Sequence, residues 1–264
     1  MAQTNEGIDA LNSGMFSTAK LYFSKQMSDL AAKPEASYYL GETYRLTNMK
    51  DSAAYFYDLG AAGEMPNSLC LVGKAGLLMA SDPDGAEALI KKARSSKEYK
   101  KRPSVYVAIA KVYAEKKQYD KAFETLNFAK ELDKKYTDIY IAEGDILMQL
   151  GKSGDAAGKY ETAIYFDEKC KPAYLKVAQI YYAAQNNDLA LQYVNKVIAI
   201  DQHYPLAVKM YGDISYGQGK YASAVYSYAD YLKSPEAVLN DQIRYAYALF
   251  FNKDYQQSVD QINQ

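Results

Sequence analysis

A small residue returns at Gly7, Gly41, Gly76, Ala110, Gly144, Ala178, Gly212 and Ala246, in steps of 34 with a single step of 35. A second small-residue series follows twelve positions later in most units: Ala19, Ala53, Ala86, Ala122, Ala156, Ala190, Ala224 and Ser258. It drifts only around Ala86, where the intervening turn is two residues shorter. Four residues beyond each stands a bulky side chain, namely Phe23, Tyr57, Ile90, Leu126, Tyr160, Val194, Tyr228 and Ile262. Three further come Gly60, Ala93, Ala129 or Ala163, although Gln26, Val197 and Tyr231 depart from the rule. Around Gly144 the residues Tyr140, Glu143, Gly144 and Leu147 fall at i, i+3, i+4 and i+7, one helical face, and Ala156, Tyr160 and Ala163 repeat the pattern on a second helix. Gly or Ala where two helices cross lets the backbones approach, and a large ring from the partner fills the gap. The spacing therefore predicts eight helical hairpins, with units starting near 1, 34, 69, 103, 137, 171, 205 and 239. A lone hairpin leaves one face uncovered, and stacking the next one buries it, so residues 1–264 are expected to form one domain with no linker.

Those residues resemble the tetratricopeptide repeat, whose 34-residue helix-turn-helix unit has this small-bulky-small spacing. The resemblance covers the whole chain and implies an all-α fold, an α-α superhelix of antiparallel helix pairs, right-handed as the family is. Departures are local. No unit has the frequent first-helix Trp, and Lys134, Glu168 and Gln202 stand where Pro often follows the second helix. Turn residues fall where hairpins need them, at Gly14, Asn48, Gly151, Asn186 and Gly219 and in Asp82-Pro83-Asp84-Gly85. Pro34, Pro66, Pro103, Pro172, Pro205 and Pro235 mark the breaks between units. The eighth unit stops at Gln264 before its second helix reaches the usual length, so the segment reads as part of a longer array.

Chemistry is sparse. His203 is the only histidine, and Cys70 and Cys170 stand about three repeats apart, too far to pair if each repeat touches only its neighbours. Gly151-Lys152-Ser153 ends like a phosphate-binding loop, but Ile146 occupies the position of the required glycine. No HExxH, CxxC or EF-hand pattern is present, so no cofactor or metal is expected and the chain does not read as an enzyme. With 31 basic against 32 acidic side chains there is no global field to attract nucleic acid. The cationic run Lys91, Lys92, Arg94, Lys97, Lys100, Lys101 and Arg102, broken by Glu98 and Tyr99, reads as the solvated end of a second helix, where cations complement the helix dipole. No apolar run approaches the roughly 20 residues that cross a bilayer, so no membrane insertion is expected. The start Ala2-Gln3 would fit a processed terminus, which favours a periplasmic over a cytoplasmic location.

The 28 tyrosines divide into two kinds. Tyr44, Tyr57, Tyr113, Tyr160, Tyr181 and Tyr228 occupy packing slots and are expected in the core. The resemblance implies a concave wall lined by first-helix residues three before, one after and four after the small slot. Carried over, this gives Tyr38, Glu42 and Arg45, then Val107, Lys111 and Ala114, then Ile141, Asp145 and Met148. Leu175, Gln179 and Tyr182 follow, then Lys209, Asp213 and Tyr216, then Ile243, Tyr247 and Phe250. From Ile141 onward the stripe is apolar and aromatic, which a solvated face is not. The implied function is a non-enzymatic scaffold holding a peptide or protein on Asp145, Met148, Leu175, Gln179, Tyr182, Lys209, Asp213, Tyr216, Tyr247 and Phe250. The competing reading is that the stripe packs on its own neighbours. The Lys and Asn pair with which chaperone-tail-binding members clamp a terminal carboxylate is absent, so such a tail is not the expected partner. Asp145 and Asp213 argue against an RNA-binding helical repeat. An alternative is that these repeats position a catalytic or membrane-associated domain of a larger protein.

Overall fold

A computed structural model describes residues 2–63, 66–96 and 101–263. Lys97, Glu98, Tyr99 and Lys100 of the cationic run lie outside the described residues, as do Met1 and Gln264. The described residues form sixteen α-helices and no strand. They pair as α1 (Ala2–Ser13) with α2 (Phe16–Gln26), α3 (Lys33–Leu46) with α4 (Lys50–Ala61), α5 (Ser68–Leu78) with α6 (Pro83–Ser95), and α7 (Pro103–Glu115) with α8 (Tyr119–Leu132). Then come α9 (Thr137–Gln149) with α10 (Ser153–Phe166), α11 (Lys171–Ala183) with α12 (Asn187–Ile200), α13 (Pro205–Gly217) with α14 (Tyr221–Tyr231), and α15 (Leu239–Phe251) with α16 (Tyr255–Ile262).

The hairpin turns share one backbone device. The residues at 14, 48, 117, 151, 185, 219 and 253 all have positive φ, between 58° and 82°. One left-handed residue after a first helix lets the next N–H reach back to a carbonyl five residues earlier and reverses the chain. Six of these bonds are seen, among them Met49 N–H to Tyr44 O at 2.8 Å and Lys220 N–H to Ser215 O at 2.8 Å. In the sixth hairpin Asn186 lies in the turn as expected, and the left-handed residue is its neighbour Gln185. Asn186 also caps α12, its side chain accepting from Leu189 N–H at 3.2 Å. The third hairpin has no left-handed residue; Asp82 caps α6 at Gly85 N–H, 3.0 Å, with Pro83 at the start of the helix.

Packing explains the small-residue code. Ala19, Ala53, Ala86, Ala122, Ala156, Ala190 and Ala224 are fully buried. In the third unit Ala75 is fully buried and Gly76 half-buried, so the single 35-residue step falls after α5 rather than before it. Glycine is used where a ring lies on the helix: an added Cβ would come within 2.3 Å of Tyr57 at Gly41 and of Tyr160 at Gly144, and within 2.9 Å of Tyr228 at Gly212. Where the slot is Ala110 or Ala178 the partner is the smaller Leu126 or Val194, both fully buried. Tyr57, Tyr113, Tyr160 and Tyr228 are core as expected, whereas Tyr44 and Tyr181 are half-buried.

The chain divides into two compact units, one of Met1–Leu11 with Ala19–Glu168 and one of Asn12–Thr18 with Lys169–Gln264. In the first, α3 packs on α5, α5 on α7 and α7 on α9, and α4 and α8 pack on the first helix of the next hairpin. In the second, α12 packs on α13 and α14 on α15. Its segment Asn12–Thr18 is held by the Glu236 carboxylate, which accepts from Thr18 N–H at 2.6 Å, and by a Ser13–Tyr204 hydroxyl contact of 2.6 Å.

Candidate functional site

The first unit closes its share of the stripe. Tyr38, Glu42, Val107, Ala114 and Ile141 are all less than 10% exposed, so here the stripe is core between neighbouring helices. The Glu42 carboxylate is gripped by Arg45 at 2.6 Å and by the Tyr57 hydroxyl, and Arg45 reaches on to Glu115 at 2.6 Å. Burial alone would raise the Glu42 carboxyl, but Arg45 and Tyr57 hold it below the usual carboxylate value. Asp145 accepts from Tyr160 at 2.7 Å, and Met148 is exposed. These two are the first unit's only members of the proposed peptide set.

The second unit keeps its stripe open, with Tyr182, Tyr247 and Phe250 between 40% and 57% exposed. Each helix there is started by local chemistry. Pro172 and Pro205 stand at the starts of α11 and α13, and the Asp241 carboxylate caps α15 by accepting from Val238 N–H at 3.1 Å. The resulting register lays four helices around a pocket of about 270 Å³ lined by Tyr182 of α11, Asp213, Tyr216 and Gly217 of α13, Tyr228 of α14, and Arg244 and Tyr247 of α15. Tyr228 is its floor, fully packed against Ala224 and Ala248. Asp213 Oδ1 accepts from both Tyr228 Oη at 2.7 Å and Arg244 Nη1 at 3.0 Å. Burial and then Asp213 push the Tyr228 phenol up, keeping it the proton donor, while Asp213 holds Arg244 charged.

Of the ten residues proposed from sequence, Tyr182, Asp213, Tyr216 and Tyr247 meet in this pocket. Leu175 does not belong to any surface: it is fully buried, because α11 turns that position into the helix interface. Lys209 is turned to the chain's own Asp241 at 2.5 Å and lies over the Tyr231 ring, so it holds α15 in place. Gln179 is exposed but outside the pocket. Phe250 packs edge-on against Phe251 and Tyr255, beside rather than in it. Arg244 was missed because it stands two residues before the slot at Ala246, off the inherited stripe; only its length brings it to Asp213. A visible signal existed, since Glu42 and Tyr57, Asp145 and Tyr160, and Asp213 and Tyr228 are all acid–tyrosine pairs 15 residues apart that hydrogen-bond.

A larger cavity of about 560 Å³ lies on the second-helix side of this unit, lined by residues including Asn195, Tyr211, Tyr226 and Asp230. It gives the lone His203 a partner that sequence reasoning did not find, Asp230 Oδ2 at 2.8 Å from Nδ1. Cys70 and Cys170 are both buried, and burial pushes the Cys70 thiol up, away from reactivity. Among the described residues no cluster of His, Cys, Asp and Glu could hold a metal, and no helix is long and apolar enough to cross a membrane.

The tyrosine pocket has more convergent chemistry than the larger cavity, and the repeats that precede most of its lining are matched by known families. A profile described as tetratricopeptide repeat-like domain matches residues 74–171, and one described as tetratricopeptide repeat matches residues 141–205. A comparison with curated protein sequences finds no match. Among solved structures, the chain is similar to PilW, a widely conserved type IV pilus biogenesis factor, with 20% identity over 76% of this chain and 91% of that one and a TM-score of 0.55. It is similar to the MamA protein at 16% identity over 61% and 88% of the two chains, TM-score 0.52. Pseudomonas aeruginosa PilF matches at 16% identity over 80% and 96%, TM-score 0.50. At such identities these neighbours establish the fold alone. Sixteen helices in hairpins of 34-residue period, matched by two repeat profiles over residues 74–205, place the chain in the tetratricopeptide-repeat family.

Proposed function

We propose that this chain is a non-enzymatic scaffold that holds a peptide or protein segment on the first-helix wall of its second unit, centred on the tyrosine pocket. Repeats of this family generally serve as protein-interaction scaffolds. The observation that carries the narrower reading is the pocket itself: open aromatic rings from three first helices converge on a fixed Asp213–Arg244 pair. Rigid aromatic anchors with a few polar groups are what protein interfaces use as hot spots. The first unit offers no comparable wall, because Tyr38, Val107 and Ile141 of its stripe are buried and Met148 is its one well-exposed apolar member. That residues 1–264 act as one domain is part of the proposal, and a single cooperative unfolding transition would support it.

The test is to recover a partner with the wild-type chain and compare its affinity for Tyr182→Ala, Tyr216→Ala and Gln192→Ala, with folding followed by thermal melts. Truncating either pocket tyrosine should cost on the order of 2 kcal/mol of binding, and Gln192 on α12 almost nothing. Folded pocket variants that bind like wild type, with binding lost at Gln192, would move the site to the second-helix side.

A further inference from the structure

We infer that the tyrosine pocket takes an aromatic peptide side chain with an acidic residue beside it in sequence, the ring entering between Tyr182, Tyr216 and Tyr247 and the carboxylate pairing with Arg244. This rests on the first-helix wall as the binding surface and names what that wall selects.

Size fixes the first half of the match. A cavity of about 150 Å³ accommodates benzene, so 270 Å³ suits one aromatic side chain and little more. The walls are tyrosine rings, which favour offset or edge-on contact with another ring. Gly217 leaves one side open, since nothing lies within 4 Å of where its Cβ would be.

Charge fixes the second half. Asp213 is already answered, because both Tyr228 and Arg244 donate to its Oδ1 and its side chain is only 16% exposed. Arg244 is 49% exposed and gives Asp213 one of the five N–H donors a guanidinium carries. The positive group at the rim is therefore the one with capacity left. A planar guanidinium fits a carboxylate with two parallel hydrogen bonds, and an incoming Lys or Arg would meet its repulsion. Lys209 does not compete for the ligand acid, being paired with Asp241.

The experiment uses capped hexapeptides with Glu-Phe, Gln-Phe, Lys-Phe or Glu-Ala at the centre, titrated into the full isotope-labelled chain while the Gly217 and Tyr247 amides are followed by NMR. The Glu-Phe peptide should bind about tenfold more tightly than Lys-Phe, the scale of one charge-assisted pair. In Arg244→Gln that gap should close, in Arg244→Lys it should narrow, and in Tyr247→Ala every Phe peptide should weaken. Thermal melts identify any variant that fails to fold, and Arg244→Lys keeps the question answerable if Arg244→Gln does. A Lys-Phe peptide that binds as well as Glu-Phe, or a gap unchanged in Arg244→Gln, overturns the acidic preference while leaving the wall in place. If no peptide moves Gly217, the pocket is not a subsite and the inference fails, whereas the wall stands or falls on the partner comparison with Tyr182→Ala and Tyr216→Ala.

Discussion

Replacing Gly144 by alanine tests the packing code directly. The new Cβ would lie 2.3 Å from Tyr160 Cε1 and 2.7 Å from Cδ1 and Cζ, inside any real contact. The ring cannot slide away cheaply: it is 2% exposed and its hydroxyl is tied to Asp145 at 2.7 Å. Overpacking of this kind costs about 1–3 kcal/mol. Moving the ring also loses a hydrogen bond worth about 1 kcal/mol, and alanine returns roughly 0.5–1 kcal/mol of helix preference. The net expectation is a loss of about 1–3.5 kcal/mol. The informative variant is the double one. Because Ala110 is served by Leu126, Gly144→Ala with Tyr160→Leu recreates a pairing the chain already uses. The double variant should be more stable than the sum of its parts by about 1 kcal/mol or more, since the two sites touch. Urea midpoints, with hydrogen exchange of the α9 and α10 amides to locate the change, read this out. Additivity within about 0.5 kcal/mol, or a stabilised single Gly144→Ala, would refute the steric reasoning.

Three further outcomes follow from single positions. Lys117 holds φ at 58°, where a Cβ costs about 1–2 kcal/mol, so Lys117→Gly should stabilise by up to about 1 kcal/mol after the added freedom of the unfolded chain, measured by the same denaturation. Leu175→Ala should lower stability by about 2–5 kcal/mol, a core cost, rather than selectively weaken a partner; a folded variant with unchanged stability would contradict its burial. Glu42 titrates lower folded than unfolded, so its contribution is present above the unfolded value of about 4.3 and is lost as pH falls through the folded one. Glu42→Gln should therefore lose less stability than wild type between about pH 5 and 3 in thermal melts.

The fold was legible because each hairpin repeats the same problem and the chain repeats the same answer. Seven buried alanines and the glycines under Tyr57, Tyr160 and Tyr228 can be read from spacing alone. Turn position was legible from Gly and Asn, but the left-handed residue itself was not always so: Gln185 carries no composition signal, whereas its neighbour Asn186, which caps the next helix, does. The site was legible in part. A stripe inherited by position cannot tell whether the next hairpin covers it, and this separates buried Ile141 and Leu175 from open Tyr182 and Tyr247. Nor does it foresee internal partners such as Asp241 for Lys209, or long side chains such as Arg244 that reach in from outside the stripe.

Site-specific photo-crosslinking in cells tests the central claim most directly, because it reports which wall a partner touches without requiring its identity in advance. A photoreactive residue replaces Tyr247 on α15 in one variant and the exposed Tyr226 on α14 in another. The account predicts a discrete covalent adduct from position 247, lost when Tyr182→Ala is added, and none from position 226. An adduct from position 226 alone, or one from 247 that ignores Tyr182→Ala, would contradict it.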